Sequence, residues 1–155
     1  MTIYKQHINE LMSALSQIDA LYADWAKKNN QNYYMSHIFY VIYMSSPLKQ
    51  KEIVIRAGMP KQTVNSVILQ LLKKEYISLN TDITDKRSKI ITMTEKGRSL
   101  AQSVFEPLLT CEMAALEKIG IKRVENMLGT LKEYSQYLKQ KMQEELKDNL
   151  EKGNE

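Results

Sequence analysis

Two clusters of side chains in this sequence carry the donors, acceptors and charges needed to grip a polyanion. The first is Lys61, Gln62, Thr63, Asn65 and Ser66. Gln and Asn each hold a donor and an acceptor on one planar amide, the pattern that complements the edge of an adenine. Gln62 and Asn65 are three apart and share one helix face, while Lys61 and Thr63 flank them and suit phosphate. The second cluster is Asp85, Lys86, Arg87 and Lys89, inside the stretch NTDITDKRSKIITMTEKG from Asn80 to Gly97. β-branched residues flank its charged centre, the signature of two strands around a turn. The bland reading is a solvated turn. The sharper one is a basic finger, with Arg87 extended toward phosphate and Asp85 bracing it from the same turn.

Other chemistries find little support. Cys111 is the only cysteine and His7 and His37 the only histidines, so neither a disulfide nor a zinc-type ligand cluster is expected. There is no P-loop, no G-x-S-x-G and no H-E-x-x-H, and five glycines leave little backbone to cradle a nucleotide. The expectation is a protein without catalytic residues, metal or cofactor. Cys111 falls on an apolar helical stripe without a basic neighbour within one turn, which reads as inert core and not as a redox sensor. Without an apolar run of membrane-spanning length or a signal-peptide core, the chain is expected in the cytoplasm.

The 155 residues, 43% of them apolar, suffice for one domain with a core. Charge is unevenly spread. Residues 47 to 99 hold eleven Lys and Arg against five Asp and Glu, a net of +6, and the remainder holds eleven against thirteen, a net of −2. A basic middle between mildly acidic flanks is the asymmetry of a module that meets nucleic acid.

The elements that must position these clusters follow from periodicity. Ile8, Leu11, Met12, Leu15, Ile18, Tyr22 and Trp25 recur at helical spacing and predict a long first helix. KKNNQN ends it. A second apolar helix spans Tyr33 to Met44, with Ser36 as N-cap or interior residue. A short helix over about Gln50 to Ala57 leads to Gly58, and Pro60 opens another that runs to about Glu75, with Val64, Val67, Ile68, Leu71 and Leu72 facing inward. This pair is a helix-turn-helix candidate. Strands are expected at Ile77 to Thr81 and Lys89 to Met93. Thr94 suits an N-cap for a helix reaching about Ile119, in which Pro107 should introduce a kink. KIGIK interrupts before a last helix whose Ile121, Val124, Leu128, Leu131, Leu138 and Met142 form a near-heptad stripe.

A helix-turn-helix followed by a two-stranded hairpin is a winged helix, and residues 48 to 97 resemble the DNA-binding lobe of the MarR family of transcription regulators. The resemblance rests on LKQKEI before the turn, TVNSVILQLLKKEYI as recognition helix, DKRSKII with the D-x-R of the wing, and MTEKG opening the next helix. In helix order it covers almost the whole chain. It implies a mainly α protein of about six helices and a two-stranded wing, a single domain over residues 1–155. Within it, 47–94 form the winged helix-turn-helix lobe, and 1–32 and 107–148 form dimerisation helices. It further implies a homodimeric repressor that reads a pseudo-palindromic operator in double-stranded DNA with helix 60–75 and the 82–88 wing. An effector crevice between dimer helices and DNA lobe makes Trp25, His37 and Tyr40 candidates for contact with a small molecule, against the commoner reading of such residues as core. The sequence departs from the family at Tyr76, where Gly is common, at Ser78 to Asn80, where Arg is common, and at Ser66, where a basic residue is common. The competing reading is a winged-helix module that docks an acidic protein partner.

Overall fold

The computed structural model describes residues 2–81 and 89–152. The order is α1 (Ile3–Lys28), α2 (Tyr33–Ser45), β1 (Leu48–Lys49), α3 (Gln50–Ala57), α4 (Lys61–Lys73), β2 (Ile77–Thr81), β3 (Lys89–Met93), α5 (Glu95–Ile119) and α6 (Ile121–Lys152). The chain divides into two compact units, one up to Leu108 and one from Leu109 onward. The mainly α architecture, with six helices and a small antiparallel sheet, is the one the sequence implies.

In the first unit, α2, α3, α4, the first part of α5 and the sheet enclose one core. Phe39 and Phe105 are fully buried, together with Ile38, Ile42, Ile53, Val64, Leu71 and Ile91. Truncating a buried phenylalanine to alanine in such a setting typically costs about 3–5 kcal/mol. α2 supplies Met35, Ile38, Phe39 and Ile42, the three- and four-residue spacing that puts them on one face. Asn32 caps it: the Met35 backbone N–H donates to Asn32 Oδ1 at 2.8 Å, and Ser36 lies inside the helix, buried. α3 and α4 meet across Gly58, whose φ of 62° lies in the left-handed region that glycine enters without a Cβ penalty. α4 begins one residue later than expected, with Pro60 as its N-cap, and ends at Lys73.

The end of α4 shows why it stops short of Glu75. Glu75 has φ +60°, the Tyr76 N–H donates to the Leu71 carbonyl at 3.0 Å, and the Glu75 N–H donates to the Leu72 carbonyl at 2.9 Å. That pair of bonds is a Schellman motif with glutamate where glycine is usual. The sheet runs β1-β3-β2, all antiparallel, with Leu79 opposite Ile91 and Thr81 opposite Lys89. β2 and β3 have the bounds the alternating pattern predicts. β1, whose Leu48 pairs with Ile91, adds a third strand to the expected two, and its two residues are too short for a period-2 signal.

Thr94 ties the sheet to α5. Its backbone N–H donates to the Tyr76 carbonyl at 3.1 Å, its hydroxyl donates to the Glu75 carbonyl at 2.7 Å, and the Gly97 N–H donates to Thr94 Oγ1 at 3.0 Å. The last bond is the N-cap the sequence predicts. On α1, Ala26 is buried and the Trp25 indole N–H donates to the Val104 carbonyl at 3.1 Å. Further up α1, Ile8, Met12, Leu15 and Ile18 of the apolar stripe are exposed.

The second unit holds the end of α5 and α6, joined at Gly120 with φ +90°. The Gly120 N–H donates to the Leu116 carbonyl at 2.9 Å, and the Gly120 carbonyl accepts from the N–H of Val124 at 3.1 Å, so one glycine ends one helix and starts the next. Val124 is buried, while Ile121, Leu128, Leu131, Leu138 and Met142 are exposed. Cys111 is exposed too, which corrects its reading as core: the helical stripe that carries it has no covering layer at that turn within the protomer.

Candidate nucleic-acid interface

The first cluster falls in the first two turns of one helix. Lys61, Gln62 and Thr63 are the first three residues of α4, the second helix of the helix-turn-helix, and Asn65 and Ser66 follow in the next turn. The buried stripe of Val64, Val67, Ile68 and Leu71 fixes the rotation of the helix and turns Lys61, Gln62 and Ser66 to solvent. Thr63 and Asn65 are half-buried. The reason for Asn65 is a partner on the preceding helix: Gln50 Nε2 donates to Asn65 Oδ1.

Of the second cluster, Lys89 is described. It is exposed at the start of β3, and its Nζ donates to Thr81 Oγ1 at 3.0 Å across the strand pair. Asp85, Lys86 and Arg87, with the rest of the expected wing 82–88, lie outside the described residues. One face of β2 and β3 carries a polar ladder, in which Ser78 and Thr92 hydroxyls meet at 2.8 Å and Asn80 Nδ2 donates to Thr92 Oγ1 at 2.9 Å. Ser78 and Asn80, at positions where the resemblance leads to an expectation of arginine, both bond to Thr92 on the neighbouring strand.

Residues missed at the sequence level share a groove with Asn65 and Lys89. Lys49, Gln50 and Lys51 line a groove of about 640 Å³ with Asn65, Leu69, Leu79 and Lys89. Three lysines on one groove form a positive rim suited to phosphate. The signal was present in LKQKEI, where basic residues bracket the first turn of α3. That turn is capped by Glu52, whose Oε2 accepts from the Lys49 N–H at 2.7 Å.

Trp25, His37 and Tyr40 do come together. With Tyr22, Tyr33, Ser36, Phe105 and Leu108 they line a cavity of about 20 Å³, room for roughly one water. The Nε2 of His37 is buried there without a protein partner among the described residues. Burial pushes the Tyr33 phenol above its ordinary value, and the Asp19 carboxylate adds to the shift. Among the described residues no group of three or more His, Cys, Asp or Glu side chains could hold a metal ion, and no helix is long and apolar enough to cross a membrane.

No family model matches the chain. A relative in Staphylococcus aureus, named an uncharacterised HTH-type transcriptional regulator, is 24% identical over 122 residues, 79% of this chain and 76% of the relative. A MarR family regulator from Neisseria meningitidis superposes with a TM-score of 0.79 at 21% identity, covering 89% of this chain and 97% of that one. Staphylococcus aureus MarR in complex with salicylate and kanamycin gives 0.65 at 21% identity, covering 89% and 93%. Reduced AbfR bound to DNA, a protein of Staphylococcus epidermidis, gives 0.62 at 22% identity, covering 84% and 97%. The winged-helix arrangement of the first unit, the long helices at both ends and these superpositions agree: the chain has the fold of the MarR family of transcription regulators.

Proposed function

We propose that the chain is a MarR family regulator that binds double-stranded DNA as a homodimer, reads a pseudo-palindromic operator and acts as a repressor. The observation that carries this reading is the first turn of α4, where exposed Lys61 and Gln62 project from a helix-turn-helix beside the lysine rim of the groove. A helix presented in this way enters the major groove with its N-terminal residues at base edges. Lys61, Thr63 and Lys89 hold phosphate, Gln62, Asn65 and Ser66 meet the bases, and Lys86 and Arg87, braced by Asp85, extend the contact from the wing. The DNA-bound AbfR neighbour supports the reading.

Dimerisation rests on the apolar residues left exposed. Ile8, Met12 and Leu15 on α1 and Leu128, Leu131 and Leu138 on α6 are each more than a third exposed, a pattern that a second copy would cover. Helices in 1–32 and 107–148 are the proposed contact. The salicylate-bound neighbour supports a small-molecule effector. On this chain the residues proposed for it are Trp25, His37 and Tyr40. Their cavity of about 20 Å³ must open before anything larger than water enters.

Fluorescence anisotropy on duplex DNA over a salt series tests the DNA reading. A regulator of this kind loses affinity steeply with salt and protects a two-fold site near its own gene. Salt-independent binding, or none, would remove the DNA-binding assignment.

A further inference from the structure

On the side of α4 that faces away from the core, one large apolar side chain stands among polar ones. We infer that this residue, Leu69, is a specificity-determining residue that packs on the 5-methyl group of a thymine in the operator. The inference rests on the DNA-binding reading of α4.

The rotation of α4 is fixed by its buried stripe of Val64, Val67, Ile68 and Leu71. At about 100° per residue, Gln62, Ser66, Leu69 and Lys73 fall on the opposite side. All four are exposed. Leu69 is 66% exposed and is the one large apolar side chain of α4 left so. It shares its stripe with Gln62, which the DNA-binding reading places at a base edge. The two are about 10 Å apart along the helix axis, the rise of about three base pairs. One half-site therefore spans both contacts.

The surroundings of Leu69 select what covers it. It lies in the groove that carries Lys49, Lys51 and Lys89, and no acidic side chain is among the described residues that line this groove. An apolar protein face would have to desolvate those lysines to reach the leucine, whereas duplex DNA brings phosphates to them. Leucine offers neither donor nor acceptor, so hydrogen-bonding features of a base edge give it nothing to match. Thymine alone presents a methyl group in the major groove. Packing that methyl on Leu69 removes apolar surface of both from water. The outward stripe of α4 thus combines an amide that hydrogen-bonds a base with a leucine that recognises a methyl.

Selection from a randomised duplex library first identifies the preferred site of the unaltered full chain. Each thymine of that site is then replaced singly by deoxyuridine, which pairs in the same way and lacks only the methyl. Affinities are measured by anisotropy for the unaltered chain, Leu69→Ala and Leu69→Met, each checked by thermal melting. At one thymine in each half-site the unaltered chain should lose about fourfold on that replacement, the worth of one buried methyl. Leu69→Ala should bind thymine and deoxyuridine there equally and keep its other base preferences and its salt slope. Leu69→Met, apolar and of similar size, should keep most of the discrimination. A purely structural role for Leu69 would lower the melting temperature and leave the ratio of thymine to deoxyuridine affinity unmoved, which overturns the inference. It is also overturned, with the DNA-binding reading intact, if no thymine responds to loss of its methyl or if the response persists in Leu69→Ala. Loss of the dimer in Leu69→Ala on sedimentation, with that ratio unmoved, assigns the leucine to a protein contact and overturns it as well. If the unaltered protein enriches no sequence at all, the DNA-binding reading falls, and this one with it.

Discussion

A Cβ built on Gly97 would stand 1.9 Å from the carbonyl oxygen of Tyr76. The neighbour is backbone, and that carbonyl is already held by the Thr94 N–H, so it cannot swing away cheaply. The glycine of the MTEKG stretch is thus a close-approach residue that lets α5 dock on the exit of α4. Gly97→Ala should destabilise the fold by about 3 kcal/mol, at the upper end for overpacking. Urea unfolding checks this, and a loss below about 0.5 kcal/mol would mean that the helix start is free to shift.

Glu75 presents the opposite case. It holds φ +60° at the C-terminus of α4, where glycine carries no Cβ penalty. Its ion pair with Lys96, at 3.3 Å, is between exposed groups and contributes little. Glu75→Gly should therefore stabilise the protein, by about 0.5–1 kcal/mol. A lower midpoint in denaturant would show that the Lys96 contact outweighs the backbone cost.

Lys61 and Gln62 are adjacent but should fail differently. Lys61→Ala should weaken binding to specific and random duplex by a similar factor and flatten the salt dependence by about one phosphate contact. Gln62→Ala should cost about 1–3 kcal/mol on the preferred site and far less on random DNA, with the salt slope unchanged. Arg87→Ala should follow Lys61→Ala. Paired titrations at several salt concentrations separate the two patterns, and equal losses on both duplexes for Gln62→Ala would exclude base reading through Gln62.

Leu131 and Leu138 lie seven apart on α6 and are 37% and 44% exposed in the protomer. If a second copy covers them, either residue changed to Asp strands a charge in an apolar contact and should give monomer or aggregate. Sedimentation of the unaltered chain should give a dimer at micromolar concentration. A folded monomer there would reassign the stripe.

Helix order and both wing strands were legible in the sequence because each has a strong period and a punctuating residue, as at Gly58, Thr94 and Gly120. β1 was not, since two residues carry no alternation and its pairing with Ile91 is set by tertiary packing. The early end of α4 was hidden by a glutamate in a conformation that usually announces itself as glycine. At the site, the exposed residues Lys61, Gln62 and Ser66 followed from the buried stripe opposite them. The link from Gln50 to Asn65 spans fifteen positions and two helices, and neither composition nor spacing encodes it.

Trp25 is the only tryptophan in the chain, and its indole N–H is held by the Val104 carbonyl at the wall of the small cavity. Every photon emitted by an indole in this protein therefore originates at one address. A molecule that pries the cavity open must disturb that ring or wet it, shifting its emission wavelength or intensity. The protein carries its own optical reporter for the opening of the cavity, readable in unlabelled material with DNA present, because nucleic acid does not emit in that window.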